Sequence, residues 1–344
     1  MNQPSVSVVI LNFNTRNLLE KLVPFALKTD YPNFEVVVAD NGSTDGSEEM
    51  IRAKFPEVKL IAFESNHGFA EGYNKALAQL DTDYWVLLNS DVEVDPKWVT
   101  PMVELLESNP KIGAAQPKIK DYNQREYFEY AGASGGWIDK YAYPFCRGRI
   151  FNHLEKDEAQ YNDAVKTFWA SGAALMIRPE LYKTVGGLDG DFFAHMEEID
   201  LCWRVQNAGY EIWVCPESTV YHMGGGTLDA QSARKTFLNF RNNLALITKN
   251  MVASEWIKVF LIRLVLDGVA GAKFLLDGKA GFTAAIVKAH WSFFLKLPHW
   301  WRKRKDVPKQ QRLRALNGVY DRSIVASHFI EKVKTFDRLD IPQL

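Results

Sequence analysis

Five consecutive apolar residues, Tyr84 to Leu88, run straight into Asn89, Ser90 and Asp91. An unbroken apolar run of this length, closed by polar residues, suits a strand buried on both faces of a mostly parallel sheet. Three earlier stretches have the same character: residues 6–11 (VSVVIL), 34–39 (FEVVVA) and 58–63. Between them lie segments with helical spacing of apolar residues: 17–27, carrying Leu18, Leu19, Leu22, Val23 and Ala26, then 47–55 and 73–80. Strands alternating with helices predict βαβ units, a parallel sheet and right-handed crossovers. Each strand releases polar residues at the same end: Asn12 and Asn14 after the first, Asp40 after the second, Asn66 after the third and Asp91 after the fourth. Ligands of open α/β sheets bind outside those carboxyl ends. The first strand is not followed by G-x-G-x-x-G, and G-x-x-x-x-G-K-[ST] occurs nowhere, which argues against a dehydrogenase or a P-loop enzyme.

Beyond the fourth strand the pattern changes. Asp95-Pro96 introduces a helix over 97–108. Residues 116–162 are rich in aromatics and glycines with little period, and read as loops and short hairpins lining a site. Strand character returns over 166–177, around Ser171-Gly172-Ala173. A short helix over 179–185 stops at Gly186-Gly187, and a helix from Glu197 to about Ala208 stops at Gly209. A strand follows over 210–215. Val220-Tyr221-His222 then leads into Gly224-Gly225-Gly226, read as a flexible loop, and a helical portion begins near Lys235.

Charge divides the chain. Residues 249–344 carry 18 Lys and Arg against 8 Asp and Glu, whereas the preceding part carries 23 against 34. The basic part holds two amphipathic helical stretches, 255–276 and 280–301, the second bearing Trp291, Phe293, Phe294, Trp300 and Trp301. A basic cluster from Arg302 to Arg314 follows. Aromatics beside a basic cluster fit a peripheral contact with a membrane surface. A helical lid or a homodimer interface with a solvated basic edge fits the same pattern, and nucleic acid fits it less well. No stretch of 18 apolar residues is free of charge, so no transmembrane helix is expected. Three scattered cysteines and an N-terminus without a basic leader point to a reducing, cytoplasmic setting, at most peripheral at the inner membrane face.

Four groups carry chemistry. Asn89-x-Asp91 accounts for itself as a polar turn, yet its place after a buried strand also suits Mg²⁺ or Mn²⁺, which take carboxylates together with substrate phosphates. Asp40 serves equally as a turn residue. His222 is a lone histidine able to complete a divalent metal shell. Glu197, Glu198 and Asp200 complement the dipole of the helix they open. Three carboxylates within four residues exceed what a cap needs, and crowding raises a carboxyl pKa toward the range of a general base.

Together these motifs resemble family 2 glycosyltransferases of the GT-A fold, in their inverting, rhamnosyltransferase-like branch. The resemblance runs from about Ser5 to Asn250 and rests on VSVVILNFN, VVVADNGSTDGS, NHGFAEGYN, LLNSDVEV, WASGAALMIRPELYKTVGGLDGDFFAHMEEIDLCWR and the later His222. It implies a Rossmann-like mixed, mostly parallel sheet flanked by helices over 1–250, with a helical, basic extension over 251–344. By the same resemblance Asp40 pairs with the nucleotide base, with Asn12 and Asn14 nearby. Asn66, Gly68, Phe69 and Asn74 line the nucleotide and sugar. Asn89, Ser90 and Asp91 stand where the family has D-x-D; Asp91 reaches the metal and His222 completes its shell. Glu198 takes the position of the general base, where the family more often has Asp, which leaves the base open among Glu198, Glu197 and Asp200. Trp169, Gly172 and Ala173 floor the acceptor pocket, and Arg234, Arg241 and Asn242 hold the diphosphate or a lid. The implied donor is dTDP-rhamnose or a UDP-sugar, and the acceptor a glycan or lipid-linked hydroxyl. A nucleotidyltransferase, or a non-catalytic nucleotide-sugar or glycan binder with a decayed site, are the alternatives.

Overall fold

The computed structural model describes residues 3–224 and 232–341. The four apolar runs form β1 (Val6–Asn12), β2 (Phe34–Asp40), β3 (Lys59–Ala62) and β4 (Tyr84–Asn89). They are parallel, in the order β3-β2-β1-β4. Tyr84 to Leu88 are each at most 1% exposed, as a strand covered on both faces requires. The crossovers are α1 (Arg16–Leu27), α2 (Ser47–Lys54) and α3 (Phe69–Leu77). Helix α3 begins four residues before its apolar spacing suggests. Gly68, at φ +80°, turns the chain, and Asn66 Oδ1 accepts its N–H, so the helix starts at once behind it.

The chain continues through β5 (Val92–Val94), α4 (Val99–Ser108) and β6 (Ile112–Asp121). Short hairpins follow: β7 (Gly136–Asp139), β8 (Pro144–Cys146), β9 (Arg149–Ile150) and β10 (His153–Leu154). Next come β11 (Val165–Thr167), β12 (Ala174–Ile177), α5 (Pro179–Thr184), α6 (Glu197–Asn207) and β13 (Glu211–His222). The main sheet extends past β4 through β12, β6, β13 and β11, with β12 antiparallel to β4 and β6.

Two expectations change here. The single strand expected over 166–177 is two strands on different neighbours, separated by a buried crossing that contains Trp169 and Ser171. The strand expected to end at 215 runs to His222, because a register shift between Cys215 and Thr219 absorbs the irregular stretch. Its far end pairs with β5, His222 opposite Val92, and this pairing carries the histidine beside the end of β4. Of the expected glycine loop, Gly225 and Gly226 lie outside the described residues.

The last third packs back onto this body. Helices α7 (Ala233–Asn250), α8 (Ala253–Leu276), α9 (Ala280–Leu295) and α10 (Leu297–Arg302) follow one another. The helix expected to run unbroken over 280–301 divides at Lys296. Pro298 lacks the N–H that would reach the carbonyl four residues back, and its ring crowds the preceding turn. After 302 the chain returns to the small sheet, where β14 (Val319–Tyr320) pairs with β7. Gly318, at φ +68°, allows this: a Cβ there would lie 2.0 Å from the Phe168 nitrogen. Beyond β14 comes α11 (Ile324–Phe329). The Ile324 N–H donates to buried Asp139, and the Phe336 N–H to Glu155.

Candidate active site

The carboxyl ends of β1, β2 and β4 carry a connected polar shelf. Asn12 Nδ2 donates to Asp40 Oδ2 (2.7 Å) and to Ser43 Oγ (3.0 Å). Asn14, in the left-handed region at φ 53°, accepts the Thr44 N–H on its side chain. The Thr15 hydroxyl donates to Asn12 Oδ1 and lies 3.1 Å from the Ser90 hydroxyl, joining Asp40 through Asn12 to the residue beside Asp91. Asn41 holds Asn66 Oδ1 and the Gly68 carbonyl at the start of α3. Asn74 is different. Its amide receives the Tyr182 O–H and the Leu188 N–H and donates to the Leu188 carbonyl, so it pins the turn after α5. Of the residues expected on the nucleotide side, Phe69, Asn89 and Asp91 line the cleft described below, whereas Asn12, Asn14, Asp40, Asn66, Gly68, Asn74 and Ser90 do not.

From this shelf a cleft of about 730 Å³ opens toward α6 and the C-terminal helices. Phe69, Asn89, Asp91, Trp169, Gly172, Ala173, Glu197, Glu198 and His222 all line it. The Trp169 indole N–H donates to the Trp137 carbonyl, and the ring covers Gly136 so closely that a Cβ there would sit 2.1 Å from it. His222 Nε2 lies 3.1 Å from Asp91 Oδ1, and Nδ1 lies 3.1 Å from Glu129 Oε2. Burial disfavours the charged imidazole, but Glu129 and Asp91 outweigh it and raise His222 to about 10.

Across the cleft, the chain enters α6 through an unusual turn. Phe193, His195 and Met196 all have positive φ (68°, 68° and 74°), a costly state for residues with side chains. Asn242 on α7 holds the turn by donating to the Phe192, Ala194 and His195 carbonyls, and Arg241 donates to those of Asp191 and Phe192. Of the two roles expected of them, holding the diphosphate or a lid, Arg241 and Asn242 make contacts of the second kind, to the backbone segment that presents the acids. The Arg234 guanidinium stacks on Phe193.

The three acids have separate fates. Asp200 is fully buried, with Arg204 and Lys249 at 2.8 Å and the Asn250 amide at 2.7 Å. Burial pushes its carboxyl up, but Arg204 and Lys249 prevail and hold it below the ordinary range. It does not line the cleft and is a structural anion that ties α6 to α7. Glu197 and Glu198 do line it, and Glu198 is the more accessible of the two. Burial raises Glu198 to about 7, and burial plus the charge of Glu198 keeps Glu197 well above the usual carboxylate range. The two carboxyls share one buried setting, and each is held toward its neutral form. Replacing Lys249 by methionine leaves Asp200 short of a partner and should cost roughly 3–5 kcal/mol of stability, read from urea unfolding.

Residues 7–186 match the model of the family described as glycosyl transferase family 2. The chain belongs to that family. It is 28% identical over 230 residues to an N-acetylglucosaminyl-diphospho-decaprenol L-rhamnosyltransferase of Mycobacterium tuberculosis, covering 62% of this chain and 75% of the relative. It is 25% identical over 209 residues to a poly-beta-1,6-N-acetyl-D-glucosamine synthase of Staphylococcus epidermidis, covering 60% of this chain and 47% of the relative. Among solved structures, the mannosyltransferase PcManGT of Pyrobaculum calidifontis, in complex with GDP-Man and Mn²⁺, aligns with a TM-score of 0.54 at 16% identity. That alignment covers 89% of this chain and 86% of the mannosyltransferase. GalNAc-T7 with UDP, GalNAc and Mn²⁺ aligns with a TM-score of 0.60 at 15% identity, over 87% of this chain and 58% of its own. These likenesses establish the GT-A fold, the fold expected from the sequence.

In this family 2 glycosyltransferase the cleft also holds residues that sequence reasoning gave no role. Glu129 lies in the aperiodic stretch before β7, and nothing in its surroundings marks it. His195 stands two residues before the acids; burial, reinforced by Lys235, lowers its imidazole to about 4, and its Nε2 has no hydrogen-bond partner among the described residues. Tyr130 and Arg149 line the cleft with the guanidinium stacked on the ring. Raised to about 10, the His222 imidazole would have to give up its Nε2 proton to an incoming ion; once it does, one carboxylate oxygen and one imidazole nitrogen on the same wall fit a divalent cation held jointly with a diphosphate. Asp91 and Glu129 approach opposite nitrogens of His222, so the two cannot share one ion. This agrees with the absence, among the described residues, of any group of three or more His, Cys, Asp or Glu able to hold a metal.

Proposed function

We propose that the enzyme transfers a sugar, with inversion, from a nucleotide-diphosphate donor to a hydroxyl of a glycan or lipid-linked acceptor, in cell-surface polysaccharide synthesis. dTDP-rhamnose is the first donor and a UDP-sugar the second. The observation that carries the reading is one cleft with the Asp91–His222 pair on one wall and Glu198, raised to about 7, on the other. Mycobacterial and staphylococcal relatives named for sugar transfer and polysaccharide synthesis support it.

Asp91 and His222 would hold Mg²⁺ or Mn²⁺. Such an ion neutralises the negative charge that grows on a departing diphosphate. Asp40, Asn12 and Asn14 hold the nucleotide on the shelf, with Asn66, Gly68 and Phe69 toward the sugar. Trp169, Gly172 and Ala173 floor the acceptor side. Glu198 accepts the proton of the acceptor hydroxyl as its oxygen bonds to the anomeric carbon. The bond from that carbon to the diphosphate oxygen breaks on the opposite face, and the electron pair leaves with the nucleoside diphosphate. One displacement of this kind inverts the centre.

A donor panel tests the reading. With Mn²⁺ and an acceptor extract, one nucleotide sugar should release its nucleoside diphosphate well above the others, and chelation should suppress that release. Release from no donor, with tight nucleotide binding retained, would establish a binder in place of a transferase.

A further inference from the structure

Helices α8 and α9 lie side by side and antiparallel, with Phe260 against Phe293 and Phe294 near one end and Phe274 against Phe282 at the turn. Their inner faces are committed. Buried Asp267 receives His290 and the Tyr143 hydroxyl, and Arg263 stacks on Tyr143. Their outer faces have the opposite composition. On α8, Ile257, Leu261, Val265 and Val269 are exposed at intervals of four, one stripe of a helix, and Leu276 at its end is 87% exposed. On α9, Val287, Trp291 (69% exposed), Phe294 and Leu295 form a second stripe. Soluble proteins rarely expose so large an apolar surface without use for it.

Charge selects the occupant. Helix α9 contains no acidic residue. The acids of α8 are withdrawn: Asp267 is buried, and Glu255 is half-buried beside Arg312 and the Leu313 N–H. Lys258, Lys288, Lys296, Arg302 and Lys305 are exposed on or just after these helices; against them stand exposed Asp277, paired with Lys273, and Asp306. A second copy would bring like charges together, whereas anionic headgroups complement them. No helix among the described residues is long and apolar enough to cross a membrane, so the contact is interfacial. The turn of this hairpin also bounds the catalytic cleft, since Phe274, Lys279 and Phe282 line it together with Glu198.

We propose that the outer face of α8 and α9 docks on an anionic lipid bilayer and sets the cleft mouth at the lipid surface. A lipid-linked acceptor then reaches Glu198 without leaving the membrane. That last step rests on the sugar-transfer reading; the docking does not.

The experiment is co-sedimentation of the full chain with vesicles of phosphatidylcholine alone or mixed with phosphatidylglycerol. The protein should pellet with the mixed vesicles, and salt should release it. Leu261→Glu with Val265→Glu, and separately Trp291→Glu, should weaken partition roughly tenfold or more. These side chains are exposed, so melting curves and nucleoside diphosphate binding should match the parent. Equal partition of parent and variants, or none by the parent, overturns the docking. So does a dimer, seen by sedimentation velocity, that the same substitutions dissociate. Failure of the parent to bind nucleotide would sink the transferase reading and leave the vesicle result standing.

Discussion

Glu198→Gln should lose sugar transfer by roughly 10²–10⁴-fold, the usual loss for a positioned base, while becoming more stable above neutral pH. Both effects come from one carboxyl group. Burial raises Glu198 from 4.5 to about 7. The folded chain therefore holds this proton more tightly than the unfolded chain does. The stability it contributes is fully present below about pH 4.5 and is lost as the pH climbs through about 7. At pH 8 the buried carboxylate costs at most about 3 kcal/mol, which the neutral amide does not. Thermal melts should place Glu198→Gln above the parent at pH 8 and level with it at pH 5. Nucleoside diphosphate binding should survive, and transfer by the parent should rise with pH through about 7 as the base ionises. Glu197→Gln should be mild by comparison, because burial and the charge of Glu198 both favour the neutral form of Glu197, which the amide resembles. If Glu197→Gln were the dead variant and Glu198→Gln active within about tenfold of the parent, the roles would be exchanged.

How much of this could be read from the residues follows from the kind of burial each element has. Strands β1, β2 and β4 were legible because they are covered over most of both faces and so are written as largely apolar runs, whereas β3, at the edge of the sheet, leaves Lys59 and Ala62 exposed. Their polar ends were legible for the same reason: Asp40 and Asp91 interrupt an otherwise continuous apolar stretch. Strand β13 was only half legible, since its irregular middle, residues 216–218, reads as an ending. The small sheet was read as hairpins, but its parallel partner β14 comes from more than 170 residues away, and no local period announces such a pairing. The two helices α8 and α9 were visible, but not that they pack side by side, and the break at Pro298 was hidden by the aromatic run around it. At the site, local composition could name three acids but not separate them. The separation depends on Lys249 and Asn250, which reach Asp200 from another helix. Glu129 shows the same limit more strongly. Its importance lies wholly in touching His222, 93 positions away, across two strands that become neighbours only when the sheet forms.

Asp91→Asn should abolish the enhancement that Mn²⁺ gives to nucleoside diphosphate binding, by roughly 100-fold in affinity at saturating metal. The reason is the small number of protein donors. Asn89 supplies an amide where a second acid could stand, and Glu129 faces the far nitrogen of His222. Among the described residues Asp91 is the carboxylate beside His222 Nε2, so an ion held there would depend on the donor diphosphate for much of its shell. Titration calorimetry should accordingly find weak Mn²⁺ binding to nucleotide-free protein and strong binding once nucleoside diphosphate is present. Glu129→Gln leaves Asp91 and His222 in place but weakens the contact that orients the imidazole, and losses from this kind of change typically run 10–100-fold in metal affinity. The order of effects is the informative result. Asp91→Asn should exceed Glu129→Gln, and both should leave metal-free nucleotide binding on the Asp40 shelf unchanged. A tightly held ion without nucleotide, or metal enhancement that survives Asp91→Asn, would remove Asp91 from the metal and with it the explanation for how this cleft releases a diphosphate.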